Sequence, residues 1–406
     1  MRQFLILLAV AGFMQAQPAQ RSYSGAGSCN SSNCHGGTTP LPESDSRILG
    51  NEYATWSVAD KHQHAYKVLE EPRGKRMADI LKIDATKDRR CTVCHVVGNR
   101  DQKTASDGVS CEACHGPAEQ WLGPHAKSNP PPTQHADNVK LGMIDTRNIE
   151  VRAKLCLSCH LGSGERIVDH ELIAAGHPDL AFELDTFTAA QPTHHRPRPA
   201  AMRLHAWAVG QATALGEGMR LLGEHGDKAW PEFSDLECYQ CHHDLRADSW
   251  RIQRGYAGRK PGTLQVNLAR YEVLDVLVAT AAPDQRAALE GAWNGLAAQM
   301  SNKLSDGPGI ARAAKAVERE ADALSTRFLT QDIDAAAMAR AISANIQRIA
   351  DAGVNAAEQA TMSLDALRAA QGKPPDAMAP LYDYLEHPST YRPSEFIGIF
   401  RRVAGE

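Results

Sequence analysis

Past its first residues, the 406-residue sequence has no apolar run near the roughly eighteen residues at which a membrane-spanning helix is expected. It also lacks a basic excess: the formal net charge is −4, which excludes the cationic footprint of a nucleic-acid binder. Aromatic residues are scarce at 6 %, so Phe and Trp alone supply little of the apolar area needed for a core. No cysteine and no histidine occurs between residues 260 and 372. Nor is any cysteine left over: all ten fall within five short motifs, leaving none for a structural disulfide or an independent zinc site.

Four of these motifs read C-x-x-C-H: Cys91, Cys94, His95; Cys111, Cys114, His115; Cys156, Cys159, His160; and Cys238, Cys241, His242. The fifth, Cys29, Cys34, His35, has four residues between its cysteines. C-x-x-C-H is the attachment signature of a c-type haem, in which two thioethers hold the macrocycle and the following histidine ligates the iron. A zinc-ribbon alternative leaves the histidine after every cysteine pair unexplained. Five covalently attached haem c groups are therefore expected. Their flat faces supply the apolar area that the aromatics do not, and two propionates on each make the holoprotein more acidic than its sequence. Only fifteen residues separate the motifs at 91–95 and 111–115, which makes near neighbours of their haems. Closely spaced haems suit electron transfer.

Residues 1 to 19 read as a secretory signal, with Arg2, an apolar run Phe4–Phe13 and a small-residue exit near Ala16 or Ala19. A retained membrane anchor is the alternative. Covalent haem attachment outside the bacterial cytoplasm fits export to the periplasm or beyond, and the mature protein is expected to be soluble. Residues 20–258 are assigned to a pentahaem domain and residues 259–406 to a haem-free helical domain ending in a proline-rich strap. The expected fold class is mostly α: a multihaem cytochrome c fold with little regular strand, then a C-terminal helical bundle. In the bundle, helices are placed at about 263–281, 284–303, 309–329, 333–352 and 354–371, with short connections favouring antiparallel packing. Its role is either to cover one side of the haem domain or to dock a redox partner.

Candidate second axial ligands follow from where histidines are presented. Residues 54–70 read as a helix whose inner face carries His62, Ala65, Tyr66 and Leu69. His64 falls on the solvated side. His125 is fixed between Pro117 and Pro124 and the following loop, with Trp121 available to cover a haem face. His170 lies on a short helical face ended by Gly176, and His177 is held extended by Pro178. His205 sits in an apolar stripe, Ala201, Met202, His205, Ala208, Val209, Ala212, of a helix from 200 to about 222. Histidines 62, 125, 170, 177 and 205 are the preferred ligands. His135, His194 and His195 are read as loop, and His243 is poorly placed for the iron of its neighbour His242.

From Cys29 to His160 the motif order resembles the cytochrome c-554 family of multihaem electron carriers. The matching parts are Trp56 with His62, Cys91–His95, Gly108–Pro117 with His125, and Cys156–Leu161. The resemblance implies a mostly helical fold with closely packed haems. It also implies that His62 and His125 ligate haems other than those of their neighbouring motifs. It further implies that the haem of Cys91, Cys94 and His95 lacks a second protein ligand. The wide first motif, the fifth haem and the helical tail depart from the family, and the extra histidines can close that open position. Two functions remain. One is a soluble electron carrier between a donor and an acceptor protein, with docking to a membrane respiratory complex compatible with it. The other is an enzyme acting on nitric oxide, hydroxylamine or nitrite at one open iron, with His64 or His135 moving protons. A denaturing mass spectrum tests the common premise: the mature chain is expected to weigh its polypeptide plus five haems, and any other number overturns it.

Overall fold

The computed structural model describes residues 22–43, 47–98, 105–127, 131–196, 199–228, 230–242, 246 and 263–405. The expected signal segment, His243 and the 258/259 division lie outside them. The fold is mostly α. Among the described residues there is no strand, and only two isolated bridges, Ser163 with Arg166 and Leu236 with Val266, pair backbone in β fashion. No helix among them is long and apolar enough to cross a membrane.

The N-terminal part is built of short pieces. Three motifs end helices at their histidines: Arg89–His95, Cys111–His115 and Ile149–His160. The first and last of these start on side chains that take up free backbone amides. Asp88 accepts from Arg90, and Asn148 from Glu150 and Val151. Before them run Glu52–Ala59 and Pro72–Leu81, between them Leu122–His125 and Gln134–Lys140, and after them His170–Ala175 and Leu184–Ala190. The contiguous hydrophobic core begins only at Ile149. The preceding segments bury isolated apolar residues such as Leu49, Leu69 and Trp121.

That core is formed where the long helix Ala200–Lys228 lies along Gly307–Phe328. Small residues allow the approach: a Cβ at Gly226 would stand 2.7 Å from the carbonyl oxygen of Gly307. Thr213 and Ser325 join the two helices by a buried 2.9 Å hydrogen bond between their hydroxyls. Trp207 is fully buried and donates to Ser363 of the helix Val354–Ala370. The remaining bundle helices are Ala269–Ala281, Pro283–Asn302, Ala335–Ala344 and Ile346–Ala352. The terminal helix Pro393–Ala404 straps back over the body, burying Phe396 and Phe400 and leaving Arg401 and Arg402 in solvent.

Three expectations are corrected. The helix expected over 54–70 stops at Ala59, and two 3-10 turns follow at Lys61–His64 and Lys67–Glu70. Asp60 is extended there and its carboxylate takes the amide of His62, so local side-chain bonding displaces the helix. The bundle helix expected over 333–352 divides at Asn345, whose side chain donates to the carbonyl of Ala341. Residues 134–140, read as loop, are helical.

Replacing Trp207 by Ala is expected to lower unfolding free energy by about 3–5 kcal/mol, from the cavity and the orphaned Ser363 hydroxyl. Val58→Ala, at an 81 % exposed position, is expected to change it by less than about 0.5 kcal/mol. Denaturant titration of both variants checks the contrast.

Candidate functional site

Each motif histidine faces a second histidine from a distant part of the chain. His35 is stacked opposite His125, with ring centres 6.1 Å apart and planes at 6°. His95 faces His177 at 6.4 Å and 86°, and His115 faces His195 at 6.1 Å and 88°. His160 faces His62 at 6.1 Å and 90°, and His242 faces His170 at 6.0 Å and 28°. An imidazole bound through one nitrogen holds that nitrogen about 2 Å from the metal, so two on opposite sides of one metal have ring centres about 6 Å apart. All five gaps therefore fit a single iron between two histidines, and each has the cysteine pair of its motif beside it. Among the described residues no three His, Cys, Asp or Glu side chains converge as a metal cluster, so the cysteines do not assemble the tetrahedral set of a zinc ribbon.

Backbone geometry explains how distant histidines arrive. Trp56 donates through Nε1 to the carbonyl of Val109, and the amide of Val109 donates to the carbonyl of His62. Gly108, at φ 63°, leaves no room for a side chain: a Cβ would lie 2.6 Å from the carbonyl oxygen of Gln63. Glu112 is buried and accepts from the amides of Ser24, Gly25 and Ala118, tying the first motif's leader to the third motif. Gln134 donates to the carbonyls of both Pro124 and His125, so the helix Gln134–Lys140 pins that ligand candidate. Gly176, at φ 118°, ends the helix His170–Ala175, and the amide of His177 returns to the carbonyl of Leu172. Arg73 clasps the carbonyl of Gly176 through two nitrogens, at 2.9 and 2.7 Å.

The ring nitrogens are oriented as ligation needs. Nδ1 is hydrogen-bonded to Glu52 in His35, to Asp60 in His62, to the carbonyl of Ala65 in His95 and to that of Pro178 in His177. Each of these leaves Nε2 for the gap, the arrangement that fixes a metal-binding imidazole. Burial pushes His115 and His160 down to about 4 and His195 to about 3, and lowers His95, His125 and His177. A neutral imidazole is the form that binds metal. His35 is the exception, raised by its hydrogen bond to Glu52.

Cysteines of different motifs also meet. Cys29 lies within hydrogen-bonding range of Cys111, and Cys94 of Cys159. Cys114 feels the charges of Cys156 and Cys159. Cys34, Cys114, Cys238 and Cys241, in the first, third and fifth motifs, are exposed.

Of the five preferred partners, His62, His125, His170 and His177 stand opposite motif histidines. His205 does not: its Nδ1 meets the carbonyl of Phe328, and its apolar stripe faces the bundle core. The fifth partner is His195, which was read as loop. Arg196 anchors its segment on the carbonyls of Leu41 and Pro42. The signal in the sequence is arithmetic: five motif histidines call for five partners, and prolines around His194 and His195 stiffen that loop. His135 is bonded through Nε2 to Asp145, and His64 is exposed. His225, not singled out from the sequence, is buried against Asp235 at 2.6 Å.

Residues 28–116 match the family described as Cytochrome c554 and c-prime. They hold the first three motifs, so this match and the motif order point the same way. The chain is also similar to cytochrome c-554 of Nitrosomonas europaea, 38 % identical over 69 residues. That stretch covers 15 % of this chain and 29 % of the relative. No solved structure matches. The fifth motif and the C-terminal bundle lie outside the matched region.

The ring angles make a spectroscopic prediction. Near-parallel imidazoles split the iron d orbitals and give rhombic low-spin resonances, whereas near-perpendicular ones leave them close to degenerate and give a single large-g feature. Electron paramagnetic resonance of the oxidised protein is expected to show two rhombic centres, from the 6° and 28° pairs, and three large-g centres, from the pairs at 86–90°. A spectrum with all five centres alike contradicts the pairing.

Proposed function

We propose that this protein is an exported pentahaem c-type cytochrome that relays electrons between a donor and an acceptor protein, with every iron held by two histidines. The observation that carries this reading is the set of five facing histidine pairs at 6.0–6.4 Å. The family match over residues 28–116 supports the electron-transfer class. The motif cysteines, Cys29 and Cys34 through Cys238 and Cys241, form the thioethers. His35, His95, His115, His160 and His242 are the proximal ligands, and His125, His177, His195, His62 and His170 respectively lie across from them. Haem iron supplies one-electron chemistry, at potentials set by axial ligands, burial and nearby charge.

The chain's own residues keep that chemistry outer-sphere. Two histidines on an iron leave no position for a substrate, and the Nδ1 partners stop the rings from rotating away. The pairs Cys29–Cys111 and Cys94–Cys159, with the field of Cys156 and Cys159 at Cys114, support an order of motifs in space as first, third, fourth, second. The segment His170–His177 then joins the second site to the fifth. The first and fifth motifs, at the two ends of that order, are the natural points of contact with partner proteins. The enzyme alternative needs an open position at His95, and His177 stands across that gap.

Carbon monoxide is the discriminating probe. The reduced protein is expected not to bind it, and the oxidised protein to be wholly low-spin. His177→Ala is expected to convert one iron in five to a high-spin, carbon monoxide-binding form. High-spin iron with carbon monoxide uptake in the unaltered protein overturns the carrier reading.

A further inference from the structure

The helix Ala269–Ala281 carries one charge that the bundle does not explain. Arg270 projects toward the motif-bearing half and lines two small adjoining cavities, of about 20 and 50 Å³. The first also exposes Leu157 and His160 of the fourth motif's helix, and Asn355 and Glu358 of Val354–Ala370. The second reaches Asp179 and, on the leader to the fifth motif, Asp235. Among the described residues the Arg270 guanidinium has no hydrogen-bond or ion-pair partner. Space is reserved for its stem: a Cβ at Gly218 would stand 3.3 Å from its Cδ.

The nearest carboxylates do not complete it. Asp179 is engaged by the side chain of Asn355 at 2.6 Å and the amide of Leu180 at 2.8 Å. Asp235 is taken by His225. Burial, with the field of Asp179, pushes Glu358 up to about 7, and neither Asp179 nor Asp235 bonds the guanidinium, although both act on it through space. Arg270 is half-buried, and its planar fork matches a carboxylate with two parallel hydrogen bonds. A haem held by the fourth motif, whose His160 lines the same cavity, would bring two such carboxylates.

We propose that Arg270 is an internal carboxylate site for a propionate of the haem attached at Cys156 and Cys159. The inference rests on the pentahaem reading above. It gives the haem-free bundle an electrical role: a fixed positive charge beside that porphyrin favours its reduced state. The test uses the purified holoprotein and the variant Arg270→Gln, each first weighed for haem content. Redox titration followed by electron paramagnetic resonance is expected to show one large-g centre of the variant titrating at lower potential, the other four unmoved. If Arg270→Gln does not fold, Arg270→Lys, which keeps the charge and loses the fork, is expected to shift the same centre less and in the same direction. Five haems present with no centre moved overturns the assignment. So does a wild-type potential that shifts with added inorganic phosphate, since the site then takes its anion from solution. A wild-type mass with fewer than five haems instead refutes the reading on which the site rests.

Discussion

The architecture depends on one geometric constraint: five pairs of imidazoles, each drawn from segments far apart in sequence, held one metal's width apart. Among the described residues before Ile149 none joins the large apolar core. Buried hydrogen bonds, such as the three amides on Glu112, order them instead. On the proposed ligation, an axial bond closing a loop between residues 35 and 125, or 95 and 177, would do for this half what hydrophobic packing does for the bundle. The two halves therefore owe their stability to different physics, although the long helix Ala200–Lys228 belongs to the second half's core while its leader carries His195.

What was legible in the sequence divides along the same line. The motifs declare their chemistry because covalent attachment demands fixed residue types at fixed spacing. The bundle declares itself by periodicity, and its helices start and stop within a few residues of expectation because Pro283 and the Asp306–Gly309 turn are local signals. Partner histidines are another matter, since they are chosen by tertiary position. His205 was attractive because it lies in an apolar stripe, but that stripe packs on Gly307–Phe328. His195 was passed over because loops carry no periodicity, and what fixes its loop is Arg196 reaching residues 41 and 42. His62 stands opposite His160, and Asp60, not a helical face, aims its ring.

The conserved-looking words in the motif region acquire physical meanings of their own. Gly108 is a glycine because a carbonyl occupies the place of its Cβ, and Gly116 because the Gly142 carbonyl does the same. Trp56 serves as a strut to Val109 more than as apolar filling. Each of these fixes backbone beside His62 or His115.

The helix His170–Ala175 and the two residues after it carry the partners of two motif histidines, His242 near one end and His95 near the other. On the proposed ligation, a rigid displacement of this segment, unlike loss of one side chain, would disturb two centres together. Arg73, bonded to the carbonyl of Gly176 from the neighbouring helix, is the clasp on that segment. Were the clasp to slip, the conductor would break at its second link and its outermost link together. What remained would be a three-centre cell insulated from one of its terminals and newly open to small gaseous ligands.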